Sequence, residues 1–365
     1  MSSTTTQATP QSTGRITWID SAKGLGIALI VLGHITSVSD PSALYVYIYA
    51  FHVPLFFFIS GLTLKPGRHG FGHMLAAKAK TLLLPYFVYA MLGYAFYLAG
   101  YLAALKLNLQ LEQFRYGLWP PLLGVFYGSL GDGHLVNAPV WFIVSLFCAF
   151  VMGWAINTWI RLTVVRWAFV AVIAAIGYWV SREIKLPWSL GPAMVGLVFL
   201  QGGFEYAQNM RRQASKVSLW IGFGLLVAGS FFAMSNGFVT LAEVVLGNPA
   251  RYLAHGFIGL FMVIYFCRAL GERGQWLAWL GQYSMAIMVI HMLIIKSMKV
   301  VLAFALHTSI AEIEANWVLS AGVLLATCVA LVPAVFIMER FLPFTLGSAS
   351  AQRSKSAGRA APASA

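Results

Sequence analysis

Stretches of about 20 predominantly apolar residues, long enough to cross a hydrocarbon core, recur along this chain. Ten of them run roughly over 19–38, 43–64, 79–104, 138–160, 163–181, 188–207, 217–235, 250–270, 276–298 and 317–338. Only 10% of the 365 residues are charged and 59% are hydrophobic. A soluble protein carries about 25% charged residues, so this chain has too little polar surface to enclose an aqueous globule. In lipid every backbone N–H and C=O must be satisfied internally, which leaves helices or a closed barrel. Barrel strands alternate apolar with polar residues, and these runs do not. The expected fold class is therefore all-α, a polytopic integral membrane protein of about ten transmembrane helices.

One membrane domain is expected over 15–340. A polar tail over 1–14 and a basic, Ala/Ser-rich tail over 341–365 lack the apolar residues to fold, so both are expected to be disordered. No early apolar run followed by a small-residue cleavage site marks a signal peptide. The formal charge of +13 does not imply nucleic acid, because the basic residues sit in short loops between apolar runs. An even number of spans puts both termini on one side. Of the 24 Lys and Arg, 17 then fall on that side, and the positive-inside rule makes it cytoplasmic. Cys148, Cys267 and Cys328 lie inside apolar segments without metal-ligand spacing, and are expected to be buried packing residues. The longest loop, 105–137, holds Trp119-Pro120-Pro121 and five glycines. It reads as an irregular cap or a shallow re-entrant segment, either an acceptor-binding element or a plain connector.

The first span opens on Lys23 and contains His34, with ten uncharged residues between them. On a helix, eleven steps of about 100° amount to three turns plus about 20°, so both side chains share a face about 16 Å apart. That is roughly the reach of a pantetheine arm, from the pyrophosphate of coenzyme A to its thioester. A cation for phosphate and an imidazole for the acyl end fit the spacing. A snorkelling lysine and a hydrogen-bonded structural histidine also fit it, and the sequence leaves both open. Asp20, one turn earlier, can pair with Lys23 or favour the helix start. The second span holds His52 and Ser60, with Pro54 between them loosening the backbone, as is tolerated where a helix lines a cavity. Trp141 opens the fourth span and reads by itself as an interfacial belt residue. His291 is a third intramembrane histidine, a costly placement that marks a functional candidate. No carboxylate or Cys accompanies these histidines at ligand spacing, so no metal is expected. His69, His73, His134, His255 and His307 fall in loops or near span ends and receive no role.

Asp20-Ser21-Ala22-Lys23-Gly24-Leu25-Gly26, the following Leu32-Gly33-His34 and Phe51-His52-Val53-Pro54-Leu55-Phe56-Phe57-Phe58-Ile59-Ser60-Gly61 resemble the membrane acyltransferase 3 family. Within it they are most similar to the fucose 4-O-acetylase-like branch that modifies exopolysaccharides. Pro139-Val140-Trp141-Phe142 through Phe147 and Tyr283-Ser284 through His291 match in order, so the resemblance covers roughly 15–340. Many members have Arg where this chain has Lys23, which keeps the charge and loses the bidentate fork. The resemblance implies transfer of an acetyl group from acetyl-CoA to a sugar hydroxyl of a surface polysaccharide or its lipid-linked precursor, in a bacterial inner membrane. Acetyl-CoA would be the co-substrate, a carbohydrate the acceptor, and membrane lipids and polysaccharide-assembly proteins the surroundings. His34 would be general base or acyl carrier. Lys23 would hold a coenzyme A phosphate, with Asp20, His52, Ser60, Trp141 and His291 around the substrate cavity. The rival class is a transporter or flippase for a sugar or lipid-linked glycan, with the histidines as a proton relay. Such folds show internal repeats of broken helices, and the 51–61 motif has no counterpart elsewhere in the chain.

Overall fold

The computed structural model describes residues 16–35, 41–108, 112–209 and 216–346. The tail expected over 1–14, the basic residues Arg15, Arg211, Arg212, Arg353, Lys355 and Arg359, and the tail beyond 346 lie outside the described residues. The helices are α1 (Thr17–Gly33), α2 (Ala43–Tyr49), α3 (His52–Gly61), α4 (Phe71–Lys78), α5 (Leu84–Lys106), α6 (Trp119–Tyr127), α7 (Trp141–Trp159), α8 (Thr163–Glu183), α9 (Leu190–Asn209), α10 (Lys216–Ser230), α11 (Pro249–Leu270), α12 (Gln275–Gln282), α13 (Ser284–Leu306), α14 (Ile310–Ala315) and α15 (Trp317–Phe341). The molecule is an all-α polytopic membrane protein.

Among the described residues, eight helical segments are long and apolar enough to cross a membrane, against ten expected from the sequence. The other two expected spans correspond to α1, which is 17 residues long, and α9, whose second half carries Gln201 and Glu205. Both are central to the packing. The Lys23 half of α1 lies on α12, and α9 is flanked by α3, α7 and α8. The outer faces of α8 and α15 carry exposed Val, Leu, Ile and Phe, as a lipid-facing surface requires.

Two close crossings fix the helices that matter for function. A Cβ on Gly24 would lie 1.9 Å from the Leu277 carbonyl oxygen, and one on Gly281 would lie 1.8 Å from that of Asp20. Gly61 and Gly203 make the same reciprocal approach between α3 and α9, at 2.0 and 1.9 Å. Only glycine lets backbones meet so closely, which is how membrane helices gain dispersion energy without a hydrophobic drive. At the Lys23 end, Asn157 and Gln201 exchange amide hydrogen bonds, Gln201 also donates to Glu205, and Glu205 pairs with Arg166 at 2.9 Å. This chain of polar contacts ties α7, α8 and α9 together.

Several sequence expectations shift. The first helix stops at Gly33, not near 38, and His34 becomes its C-cap. The second span is broken at Ala50–Phe51, four residues before Pro54, whose missing N–H leaves the Ala50 carbonyl without its helical donor. The span expected over 276–298 begins at Ser284, because the amphipathic α12 ends at Tyr283 before α13 starts. The loop over 105–137 contains a helix, α6. Its Trp119, Leu123 and Phe126 are exposed, while Tyr86 of α5 donates to its Val125 carbonyl. The ordered chain does not stop at 340: Pro343–Leu346 forms a turn with Thr345 and Leu346 buried. Cys328 is exposed on α15 and Cys148 half-buried, so only Cys267 is a fully buried packing thiol. His255 is buried two turns into α11 rather than solvated at its end.

Candidate active site

The glycine crossing with α12 holds the start of α1 in place, and this presents Lys23 to a cavity. Asp20, 4% exposed, accepts a hydrogen bond from the Lys23 ammonium at 3.2 Å, and the lysine stays 31% exposed. Asp20 therefore orients the cation without burying it. The cavity has a volume of about 440 Å³. Its polar lining includes Lys23, Ser60, Thr63, Lys78, Thr81 and Glu339, and its deeper wall is apolar, with Phe56, Phe142 and Met288. Lys78 sits 3.6 Å from the Phe150 ring centroid, which stabilises an ammonium by its quadrupole. Two cations, one carboxylate and five hydroxyls around an apolar shaft, the last two from Tyr283 and Ser284, make a pocket fit for a phosphorylated ligand with a hydrophobic tail.

At the other end of α1 three imidazoles meet. The His34 and His291 rings lie edge to face at 5.1 Å. Tyr49 bridges the remaining gap, 6.0 Å from His34 and 4.6 Å from His52 by ring centroids. Each histidine directs Nδ1 at a backbone carbonyl one turn earlier: Ile30 for His34 at 2.8 Å, Ile48 for His52 at 2.9 Å and Ile287 for His291 at 2.9 Å. A carbonyl oxygen only accepts, so in the neutral rings Nδ1 carries the hydrogen and Nε2 keeps the lone pair. The Ile30 carbonyl also accepts the His34 backbone N–H and the Ile48 carbonyl that of Phe51, both at 3.2 Å, so the two imidazoles use second lone pairs at a helix end and at the α2–α3 break. His52 and His291 are 3% and 0% exposed, whereas His34 is half-buried. Of the three, His34 is the imidazole a substrate can reach.

The structure divides the expected site residues into two groups. Asp20, Lys23 and Ser60 belong to the cavity, with Asp20 behind it. His34, His52 and His291 form the imidazole cluster. His52 and Ser60, expected around one substrate cavity, sit at opposite ends of α3, eight residues or about 12 Å apart, Ser60 lining the cavity and His52 joining the imidazoles. Trp141 is 7% exposed in the core and is not a belt residue, nor does it line the cavity. The groups are nevertheless close. Phe56 and Met288 of the cavity wall lie one turn from His52 and His291 respectively.

Sequence reasoning passed over Lys78, Thr81, Glu339, Tyr49 and Asn137. Lys78 counted only as an orienting charge, and nothing in the sequence says that α4 returns to α7. Asn137 is completely buried and donates through Nδ2 to the Tyr89 and Val289 carbonyls, both at 3.0 Å, pinning α5 to α13 beside His291. An Asn just before the Pro139 motif was the available signal.

A family model described as an acyltransferase domain, acyltransferase 3, matches residues 16–338. Neither the curated proteins nor the solved structures yield a match. The matched stretch holds the cavity residues from Lys23 to Met288, all three clustered histidines and both glycine crossings. This chain belongs to the acyltransferase 3 family and is a membrane acyltransferase.

Proposed function

We propose that the protein moves an acetyl group from acetyl-CoA to a sugar hydroxyl of a surface polysaccharide or of its lipid-linked precursor, in keeping with its resemblance to the fucose 4-O-acetylase-like branch. One observation carries the reading. A single helix presents a cation to a polar-mouthed cavity at one end and an accessible imidazole with a free Nε2 at the other, about 16 Å away. Lys23, helped by Lys78, holds the coenzyme A phosphates, and the pantetheine arm runs along the apolar wall towards His34.

In the direct route Nε2 of His34 takes the proton of the acceptor hydroxyl as its oxygen attacks the thioester carbonyl. The carbon–sulfur bond breaks, and the coenzyme A thiolate takes the proton back from the imidazolium. In the relay route Nε2 attacks the thioester carbonyl and the carbon–sulfur bond breaks to release the coenzyme A thiolate. The acceptor oxygen then takes the acetyl group as the carbon–nitrogen bond breaks, and its proton passes to the thiolate. The Nδ1–Ile30 hydrogen bond serves both, by fixing the tautomer. Both termini face the cytoplasm of an inner membrane in this reading, where acetyl-CoA is available, and the acceptor meets His34 from the other side. A reporter at the C-terminus should read cytoplasmic and one within 122–135 non-cytoplasmic.

The test is acetyl-CoA turnover by the purified chain, together with mass spectrometry of surface polysaccharide from a deletion strain. Loss of acetyl esters in the strain and acetyl-CoA-dependent turnover by the protein support the reading. Unchanged acetylation with no turnover removes it.

A further inference from the structure

Because α13 starts at Ser284, it carries two lysines inside the span. Lys296 is the thirteenth of its 23 residues. It lies about 18 Å from one helix end and about 15 Å from the other, further than a four-carbon stem can snorkel. Lys299 is buried and pairs with Glu314 of α14 at 2.7 Å. Lys296 is exposed, and no acidic partner for it occurs among the described residues. An ammonium exposed at mid-depth of a membrane helix faces water, because contact with lipid there is too costly.

The water it faces lies near the imidazoles. His291 is five residues earlier on the same helix and touches the His34 ring, and both lysine ammoniums are close enough to act electrostatically on His34. The cavity with Lys23 lies on the opposite side of His34, one turn below His291. Glu314 compensates Lys299, so the far side of His34 is left with one net positive charge. The stacked Tyr45 and Tyr49 rings, 3.8 Å apart, stand beside it.

We propose that Lys296 lines a water-filled vestibule opening on His34 from the side opposite the Lys23 cavity, and that it selects acceptors with an oxyanion near the reacting hydroxyl. The oxyanion is the carboxylate of an acidic sugar or the phosphate of a lipid-linked one. The acceptor selection rests on the acetyl-transfer reading; the vestibule does not. An uncompensated cation beside the base draws such acceptors in and disfavours neutral ones by comparison.

The test uses the purified full chain with Cys148, Cys267 and Cys328 replaced by Ala, and Lys296→Cys on that background. Acetyl transfer is measured with a uronate oligosaccharide, its carboxyl-reduced counterpart and a polyprenyl-pyrophosphate-linked sugar. Lys296→Cys should raise the KM for an oxyanion acceptor at least about 10-fold, the scale of a charge-assisted hydrogen bond, and leave the reduced one unchanged. Aminoethyl methanethiosulfonate, which rebuilds an ammonium at that position, should restore the lost affinity. The sulfonatoethyl reagent should not. A response with the uronate identifies an acidic sugar, and a response with the pyrophosphate lipid alone identifies the lipid-linked source. A thiol at 296 that does not react with either reagent, or an equal change on acidic and reduced acceptors, overturns the proposal. Binding of the same probes to wild type and Lys296→Gln is measured in parallel. Binding that depends on Lys296 without acetyl transfer removes the acetyl-transfer reading and keeps the vestibule, whereas binding indifferent to Lys296 removes the vestibule's role.

Discussion

The two ends of α1 solve the same problem, polar groups in an apolar bundle, in opposite ways. At the Lys23 end the polar groups are charged, and the chain keeps them next to a cavity where a ligand or water can reach them. Lys23 is held by Asp20, and Lys78 lies over an aromatic face. At the His34 end three imidazoles enter as neutral rings, each donating to a carbonyl of its own or the neighbouring helix turn. A buried ion costs several kcal/mol unless well paired, a hydrogen-bonded neutral ring far less. The difference teaches where binding and chemistry can be placed. Charge that holds a ligand stays where solvent or ligand reaches it, and a base can sit deeper because it enters uncharged.

The comparison breaks most visibly at the imidazoles. His34→Ala removes the accessible Nε2 and should reduce acetyl transfer by at least about 100-fold with normal insertion, since a lost base or acyl carrier has that scale. His52→Ala removes a buried hydrogen bond at the α2–α3 break and should cost about 1–3 kcal/mol of stability with substantial activity per folded molecule. Turnover on matched amounts of folded protein separates them. Equal loss of activity in both variants at full yield would mean that the chemistry belongs to the cluster and not to His34.

Next in size is the crossing that places Lys23. Gly281→Val puts a Cβ within 1.8 Å of the Asp20 carbonyl oxygen, so α1 and α12 must separate. Overpacking of this kind costs about 1–3 kcal/mol or more, and the thermal midpoint should fall together with affinity for acetyl-CoA. Gly322→Ala on α15, where a new Cβ meets nothing within 4 Å, is the control and should change neither.

Smaller again is Lys23 itself. Lys23→Met keeps length and removes charge. A charge-assisted bond to phosphate contributes about 1.5–3 kcal/mol, and water near the cavity mouth favours the lower half, so the KM for acetyl-CoA should rise about 10- to 40-fold. Lys23→Arg should retain most of the affinity. If Lys23 only pairs with Asp20, Met lowers yield and leaves KM alone, and the three-turn spacing to His34 loses its meaning.

How far the sequence carried depends on whether local chemistry or tertiary return decided the feature. Spans were legible because lipid leaves a helix almost no alternative, and His34, Lys23 and Asp20 were legible because an ionisable group in an apolar run stands out. The break at Ala50–Phe51 was signalled by Pro54. The start of α13 was not, since apolar residues continue through α12 and only Gln282-Tyr283-Ser284 mark the step. That eight-residue shift moved Lys296 and Lys299 from a span edge to its interior. Lys78 and Leu346 reach the cavity through chain reversals that no periodicity encodes, and Trp141, read alone as a belt residue, is buried because α7 is central. A helical wheel gives faces and not depths, so it does not separate the Lys23 group from the His34 group. His52 and Ser60 share α3 and still lie a helix length apart.

The smallest effect sharpens the account of how the Lys23 end is closed. After α15 the chain turns back at Pro343–Leu346, and Leu346 joins the cavity wall. Thr345 is the latch: its hydroxyl contacts the Tyr89 hydroxyl at 2.7 Å and donates to the Leu342 carbonyl at 2.7 Å. Thr345→Val keeps the shape and removes those hydrogen bonds, leaving Tyr89 without that partner inside the bundle. The expected loss is about 1–2 kcal/mol, seen as a drop of a few degrees in the thermal midpoint. Because Leu346 is one wall among many and Lys23 is untouched, the KM for acetyl-CoA should change by less than the Lys23→Met variant changes it. Deleting residues from 343 onward removes the wall as well as the latch, and should raise KM beyond the Thr345→Val value. A deletion that leaves KM at the wild-type value would show that the turn stabilises α5 and α15 but takes no part in enclosing the donor. The cavity would then be formed by the helices alone, from Lys23 of α1 to Glu339 of α15.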